Sequence, residues 1–526
     1  MPDTPAAPLL TRRRVLAGIG VLAVGAAVAA EIELGGGQGS SGITAGPMAS
    51  ASASGASPAA GNTSAPSQAP GASPSAPPPA RRSYRSRPDI TSPVIDIITV
   101  AGIPAPGLVF LTPADGLGKD GPTIVDGAGE LVWMRPDNNV FATDLRVASF
   151  RGAPVLTWWE GANNAGIGAG EHVVMDAAYR EVMRIPGQSG RKADLHELQL
   201  TDAGTALFFA DTPMGPGPLP ASVGTQPAVM DCAIQEVDLA TGKLVFEWHA
   251  VDHIAVSESV IDPPTGANQV WDYFHGNSIE VDTDGHLIVS ARNTSAVYKI
   301  DRATGQVLWR LGGKRSDFAM GQGTAFALQH DARRQADGTI TIFDDNQAPN
   351  FSRGIVLRAD ESAKTVTLVR EYPQPQRLLA TSQGNVQVLP NGHVFIGWGS
   401  VPRYSEFTAD GRLVYDAVIA STMSYRNRRH PWVGRPSEPP AVAIDTDGSA
   451  KAVYASWNGA TEVARWDVLA GATASTLRKV ASAPRTGFET VIAVTGLGAA
   501  DVVVAVRAHD AAGTELGTSA PVAVPA

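Results

Sequence analysis

The chain has 526 residues, of which 44% are hydrophobic and 17% are charged, so most of it can fold around a sizeable core. Its formal net charge of −10 argues against a nucleic-acid-binding protein, which would carry a basic footprint. One cysteine, Cys232, excludes an internal disulfide and a thiolate metal cluster, and we interpret it as a small buried hydrophobe.

The first 30 residues are typical of an export signal. Thr11-Arg12-Arg13-Arg14-Val15-Leu16 resembles a twin-arginine motif, and the apolar run that follows, 16–30, is shorter than a typical membrane span. Ala27-Val28-Ala29 offers a small-residue cleavage site. We therefore expect export by the twin-arginine route to the cell surface or the extracellular space. The alternative is an uncleaved anchor, which would tether the protein to the membrane.

Residues 31–91 consist largely of Gly, Ser, Ala and Pro. Such a segment cannot bury enough surface to offset its ordering entropy, so it predicts a disordered linker. We expect the arginines near its end to be solvated: Arg81, Arg82, Arg85 and Arg87.

Between residues 92 and 420 a unit of two hairpins recurs. Asp-Gly and Asn-Gly turns mark most of the first hairpins, which span 196–211, 277–292, 330–345 and 384–399. Six second hairpins are predicted near 123–134, 173–185, 235–248, 298–310, 355–371 and 404–417. Two hairpins make a four-stranded sheet, so the pattern predicts an all-β, six-bladed β-propeller. A sandwich array or a β-solenoid is the alternative, but a spacing of ~50 residues per unit fits a blade better.

The composition changes again near the C-terminus. After a linker at 421–435, residues 436–526 carry strand-like segments at the spacing of a fibronectin type III-like β-sandwich. The alternating run 502–508 is the clearest of these strands.

The histidines of the propeller region follow the repeat. His196 and His330 both lie eight residues before the glycine of their turn, Asn277 takes the same place in another unit, and His275 lies two residues earlier. Because strand side chains alternate, we expect His275 and Asn277 to face the same way. The inner hairpins of a propeller converge on its axis, so these side chains should meet there.

The same spacing predicts cross-strand partners. It places Asn277 opposite Arg292, His330 opposite Asp345, and His196 opposite Asp211. Each of these residues alone could be structural, but three imidazoles, a guanidinium and two carboxylates from neighbouring units indicate a site for an anion. A metal site is the alternative, although the arginine would repel a cation. The remaining histidines are interpreted as structural.

Four motifs carry a resemblance: Leu195-His196-Glu197-Leu198, Phe274-His275-Gly276-Asn277-Ser278, Ser290-Ala291-Arg292-Asn293 and Gln329-His330-Asp331. They look like the landmarks of bacterial arylsulfotransferases, most closely of an actinobacterial-type branch. That family consists of six-bladed propellers that move sulfate between phenols without a nucleotide donor. The resemblance implies a phenolic sulfate donor, a phenol acceptor and no cofactor or metal.

By the same resemblance, His330 corresponds to the nucleophile that becomes sulfated. His275, Asn277, Arg292 and His196 correspond to the groups that hold the sulfuryl oxygens and handle the phenolic proton. The chemistry is consistent with this, since a neutral imidazole is a competent nucleophile and a guanidinium binds spread oxygen charge. The chain lacks the disulfide of the enterobacterial members, and 249–272 is interpreted as an insertion near the mouth of the site.

Two other functions remain open at this point. The protein could be a non-catalytic extracellular propeller that binds an anion or a glycan, or a sulfatase-like hydrolase that releases sulfate without an acceptor. Turnover of an aryl sulfate with a phenol distinguishes the transferase from both.

Overall fold

The computed structural model describes residues 80–114, 121–135, 141–164, 166–215, 228–266, 269–345, 350–445 and 451–525. The predicted export signal and the linker up to residue 79 lie outside this part of the chain. The described residues form an all-β protein with one short α-helix, Ala250–His253, and two 3-10 turns, Val256–Glu258 and Ala474–Thr476. Within them, no helix has both the length and the apolar character that a bilayer crossing requires.

Six antiparallel sheets follow one another along the chain. We number them by their strands, from the innermost strand outwards. Sheet 1 contains Arg428–His430, Leu108–Leu111, Thr123–Val125 and Leu131–Met134; sheet 2 contains Phe141–Phe150, Ala153–Asn164, Ile167–Met175 and Glu181–Pro186. Sheet 3 contains Leu198–Leu200, Thr205–Phe209, Ala233–Asp238 and Lys243–His249; sheet 4 contains Gly276–Val281, Leu287–Ala291, Ala296–Ile300 and Val307–Gly312.

The last two sheets each gain a fifth strand. Sheet 5 contains His330–Arg334, Ile340–Asp344, Arg353–Asp360 and Thr365–Pro373, with Ala319–Met320 added in parallel. Sheet 6 contains Asn385–Val388, Val394–Gly397, Arg403–Phe407 and Leu413–Ile419, with Ile95–Val100 at its edge. Three short strand pairs lie between the sheets: Arg81–Ser83 with Thr91–Pro93, Thr212–Met214 with Val229–Asp231, and Met423–Ser424 with Pro113–Ala114.

All ten predicted hairpins are present, and eight of their turns place a glycine in the left-handed region, while the other two place Tyr179 and Lys364 there. In the turn at Asp284-Gly285, Gly285 has φ +85° and its N–H donates to the Asp282 carbonyl at 2.8 Å. Asp284 does not share this left-handed conformation, although the prediction requires it of both turn residues. The hairpins therefore close with a single left-handed residue, which glycine adopts without steric cost.

Apolar clusters fill the spaces between neighbouring sheets. Between sheets 3 and 4 they include Phe209, Trp248 and Tyr298, all of them buried. Burying a large apolar side chain stabilises a protein by about 1.5–3 kcal/mol, so these interfaces hold successive sheets face to face. Consecutive sheets contact one another, and sheet 6 contacts sheet 1 through Val394–Gly397 and Arg428–His430.

The predicted linker at 421–435 is wrong in part, because this segment contains the strand Met423–Ser424 and supplies the innermost strand of sheet 1. Arg428–His430 pairs with Leu108–Leu111, so residues from the end of the region close its first sheet. Charged residues at successive positions do not look like a buried strand. They are buried here because acidic side chains of other sheets pair with them.

The C-terminal end of the predicted 31–91 linker is also folded. Arg81–Ser83 forms a strand, and Arg82 pairs with Glu130 at 2.5 Å rather than being only solvated. Tyr84 is buried, and its ring centroid lies 4.5 Å from that of Phe488.

The C-terminal residues form two sheets around one apolar core. One sheet contains Ala441–Asp445, Lys451–Ser456 and Glu489–Val494; the other contains Arg478–Pro484, Arg465–Gly471, Val503–His509 and Glu515–Thr518, with Val522–Ala523. Both contribute to a buried cluster around Trp466. Tyr179 of the sheet 2 turn donates from its hydroxyl to the Gly459 carbonyl at 2.9 Å, which fixes this module against sheet 2.

Candidate functional site

Three histidines lie together where the innermost strands of sheets 3, 4 and 5 begin. His330 is the first residue of its strand, His275 immediately precedes Gly276–Val281, and His196 lies two residues before Leu198–Leu200. The rings of His196 and His275 meet edge to face with centroids 4.7 Å apart. We call these three side chains the histidine layer.

Each imidazole of the histidine layer is held at Nδ1 by a carboxylate. His330 Nδ1 lies 2.8 Å from Asp345 Oδ2, His196 Nδ1 lies 2.5 Å from Asp194 Oδ2, and His275 Nδ1 lies 2.5 Å from Asp272 Oδ2. A carboxylate at one ring nitrogen fixes the tautomer and orientation of the ring. The opposite nitrogen, Nε2, is then left for chemistry.

His330 is a buried neutral imidazole. Burial lowers its pKa well below the usual value, and nearby Arg292 and His196 lower it further. The backbone N–H of Gln383 donates to His330 Nε2 at 3.3 Å, so the single ring hydrogen is on Nδ1 and is donated to Asp345. Burial raises the pKa of Asp345, and its Oδ2 serves as the acceptor. Nε2 therefore carries a lone pair.

The predicted pairing of His196 with Asp211 is wrong, because its carboxylate is Asp194. The hairpin pairs Leu198 with Phe208, a register that places position 196 opposite 210, and a shift of one residue turns a side chain to the other face. Burial opposes ionisation of Asp194, but the charge and hydrogen bond of His196 outweigh it and lower its pKa. For Asp211, burial and then neighbouring Asp194 raise the pKa well above the usual value.

Arg292 directly follows the second strand of sheet 4, and its backbone N–H donates to the His275 carbonyl at 2.9 Å. Its Nη1 donates to Asn293 Oδ1 at 2.9 Å, and its Nη2 donates to the Thr381 carbonyl at 3.1 Å. Thr381 lies two residues before Gln383, whose N–H donates to His330 Nε2, and the positive charge of Arg292 lowers the pKa of His330. Arg292 is only partly buried, so it is accessible to an anion.

Asn277 does not join this group. Its side-chain amide donates to the Gln329 carbonyl at 2.8 Å and accepts from the Asp331 N–H at 3.3 Å, so it joins sheets 4 and 5. The expectation that His275 and Asn277 face the same way fails because His275 has φ +55°, which breaks the alternation of the strand. The predicted opposition of Asn277 and Arg292 fails with it, since a bulge shifts the register between Gly276 and Ser278.

A second set of charged residues, absent from the prediction, packs directly next to the histidines. We call it the ionic layer: Asp144, Arg146, Glu197, Asp331, Arg333, Arg426 and Arg428. Glu197 accepts from Arg146 at 2.6 Å and pairs with Arg426 at 3.3 Å and with Arg333. Burial would raise the pKa of Glu197, but these arginines lower it to about 2. The sequence signal for this layer is an acidic residue directly after two of the site histidines: Glu197 follows His196, and Asp331 follows His330.

The aromatic residues near the site belong to the core. Tyr273 and Phe274, which directly precede His275, are fully buried in the cluster between sheets 3 and 4. Within the described residues, no three His, Cys, Asp or Glu side chains form a group that could hold a metal ion.

The structure so far defines an all-β protein of successive four- and five-stranded sheets with a histidine–arginine cluster at one end of their inner strands. The model of the family described as arylsulfotransferase (ASST) matches residues 146–420, just over half of the chain. The chain belongs to the arylsulfotransferase family.

Solved structures with similar chain traces are distant in sequence. A protein of unknown function from Bacteroides caccae is 13% identical, with 61% of this chain and 98% of that chain covered and a TM-score of 0.39. A streptogramin B lyase is 14% identical, with 69% of this chain and 94% of that chain covered and a TM-score of 0.32. Virginiamycin B lyase from Staphylococcus aureus is 11% identical, with 68% of this chain and 94% of that chain covered and a TM-score of 0.31. No curated protein matches the chain.

Proposed function

We propose that the protein transfers a sulfuryl group from an aryl sulfate ester to a phenol, and that His330 carries the group between them. The proposal depends on the orientation and the protonation of His330. Its Nδ1 is held by Asp345 at 2.8 Å, and its Nε2 presents a lone pair beside the cationic Arg292. Membership in the arylsulfotransferase family supports the reaction class.

In the first half of the reaction, the His330 Nε2 lone pair gives up its long bond from the Gln383 N–H and attacks the sulfur of the donor. An N–S bond forms, the S–O bond to the aryl group breaks, and the phenolate leaves with the bonding electron pair. The ring of the sulfated His330 becomes cationic, and Asp345 stabilises that charge through the Nδ1–H bond. Arg292 neutralises the sulfuryl oxygens, where charge is spread in the transition state.

His275 is the group we assign to the proton. The side chain of His275 is 12% exposed, whereas that of His196 is 4% exposed. Asp272 orients the His275 ring through Nδ1. His275 donates a proton to the departing phenolate and accepts one from the incoming phenol. In the second half, the acceptor oxygen attacks sulfur, the N–S bond breaks, and His330 returns to the neutral form.

We extend the proposal to the architecture and the location of the protein. The contacts between consecutive sheets, and between sheets 6 and 1, support a six-bladed propeller. The two-sheet C-terminal module fits a fibronectin type III-like sandwich. The arginine motif at 11–16 and the apolar run after it support twin-arginine export, with a membrane tether if the signal is retained.

The test is the intact mass of the protein after incubation with an aryl sulfate and no acceptor. We expect one added sulfuryl group, which a phenol then removes as its sulfate ester. His330→Ala should show no adduct, while His286→Ala, at a half-exposed turn histidine, should behave like the wild type. Release of free sulfate without a phenol would indicate a hydrolase, and no reaction with any donor would leave the anion-binding propeller as the better hypothesis.

A further inference from the structure

An apolar groove of about 450 Å³ lies beside the ends of sheets 4 and 5. This volume is within the range of about 300–1,000 Å³ that small-molecule pockets occupy. Its walls include Val260, Ile261, Ser295, Met320, Phe326 and Leu328. Val260 and Ile261 are 39% and 37% exposed, so two aliphatic side chains of the 249–272 insertion face solvent at the groove.

One wall of the groove is attached to both central residues of the site. Leu328 lies two residues before His330, so their Cα atoms are at most about 7 Å apart. The Leu328 N–H donates to Ser295 Oγ at 3.1 Å, and the Ser295 N–H donates to the Arg292 carbonyl at 3.0 Å. The inner end of the groove is therefore set by the chain that positions His330 and Arg292.

The opposite wall is fixed to the same place. The Val260 N–H donates to the Asn293 carbonyl at 2.7 Å, and Ser259 Oγ donates to the same oxygen at 3.1 Å. Asn293 in turn accepts from Arg292 Nη1 at 2.9 Å. The insertion thus places its exposed aliphatic residues directly outside the residue that would hold the sulfuryl oxygens.

We propose that this groove binds the apolar substituent of the acceptor phenol and makes the enzyme prefer elongated, hydrophobic phenols to small ones. This inference rests on the proposed function of the site. The hydroxyl would be directed to His330 while an alkyl chain or fused ring lies against Ile261, Phe326 and Leu328. Each methylene that is fully buried strengthens binding about fourfold, so a chain that fills the groove changes selectivity strongly.

The experiment compares phenol, 4-methylphenol and 4-hexylphenol as acceptors for one aryl sulfate donor. In the wild-type protein we expect kcat/KM to rise at least about tenfold from the methyl to the hexyl compound. Ile261→Asp should abolish this gain and leave 4-methylphenol within about twofold of wild type. Val245→Asp makes the same kind of change at an exposed position of sheet 3, outside the groove, and should keep the gain.

Calorimetric binding of 4-hexylphenol separates this proposal from the proposed function. If no acceptor is turned over, the transferase assignment fails, yet binding that Ile261→Asp weakens and Val245→Asp does not would still support the groove. Equal kcat/KM along the series, or hexylphenol binding that Ile261→Asp leaves unchanged, would overturn the groove assignment.

Discussion

The histidine layer and the ionic layer are adjacent along two strands, but the side chains of the two layers differ in how many bonding partners they have. His196 is followed by Glu197, and His330 by Asp331. Each histidine has one carboxylate at Nδ1, and among the described residues the only bond to Nε2 of His330 is the neutral Gln383 N–H at 3.3 Å. Every side chain of the ionic layer, by contrast, has at least one partner of opposite charge within it. One layer keeps atoms available for a substrate, and the other uses its charges to hold sheets together. Substitutions should therefore affect activity in the first and stability in the second.

Asp345→Asn should have the largest effect and should act on activity alone. An amide cannot stabilise a cationic sulfated ring as a carboxylate does, so we expect kcat/KM to fall about 10²–10⁴-fold. In the resting protein the amide oxygen can still accept from the Nδ1–H of neutral His330, so the melting temperature should change little. Steady-state kinetics together with thermal unfolding measure both, and full activity in this variant would show that His330 does not need its carboxylate.

Glu197→Gln should have the opposite effect and lower stability rather than activity. Removing this charge leaves Arg146, Arg333 and Arg426 short of a buried partner, which should cost about 3–5 kcal/mol of unfolding free energy. Urea unfolding provides the measurement. Glu361→Gln is the matched control: its side chain is 37% exposed, and its loss should cost at most about 1 kcal/mol. Similar losses in the two variants would mean that the ionic layer has no special structural role.

Arg292→Lys keeps the positive charge and removes the fork of donors. We expect about a 10²-fold loss of kcat/KM, because a lysine cannot bind two sulfuryl oxygens from a planar group. The unfolding free energy should stay close to wild type, since Arg292 is only partly buried. Arg315→Lys, at an arginine whose side chain is 63% exposed, serves as the control. Wild-type kinetics for Arg292→Lys would contradict the role in oxygen binding.

Asp194→Asn and Asp211→Asn test which carboxylate positions His196. Asp194 accepts from His196 Nδ1 at 2.5 Å, so its loss should lower kcat on the order of tenfold and shift the pH profile. His196 Nδ1 is bonded to Asp194 and not to Asp211, and burial raises the pKa of Asp211, so the Asp211 variant should leave the profile unchanged. The reverse result would favour the cross-strand pairing predicted from the sequence.

His172 belongs to neither layer, and among the described residues its Nε2 has no hydrogen-bond partner. Burial lowers its pKa to about 3, so between about pH 6.5 and 3 the unfolded chain binds a proton that the folded protein does not. Stability therefore falls as the pH decreases through this window. Between pH 7 and 5.5, His172→Leu should reduce the loss of unfolding free energy by about 1 kcal/mol. An unchanged loss in His172→Leu would show that His172 is protonated in the folded protein.

Local rules predicted much of the fold. Turn residues, most of them glycines, and strand-like segments located the ten hairpins, because hairpin turns and strand alternation depend on residues near one another in sequence. The same spacing singled out His196, His275 and His330, because repeated units place equivalent positions at equivalent points of each sheet. Arg292 was found by its position at the end of the partner strand.

Tertiary contacts decided what each of these residues does. A register offset of one residue gave His196 the carboxylate of Asp194 instead of Asp211, and a left-handed His275 separated it from Asn277. The segment around Arg426 and Arg428 becomes a buried strand only because Asp144, Glu197 and Asp331 from distant parts of the chain neutralise it. Charge pairing between remote segments leaves no periodicity in a sequence. For that reason the amino-acid pattern alone indicated the hairpins and the histidines, and only the folded structure decided their partners.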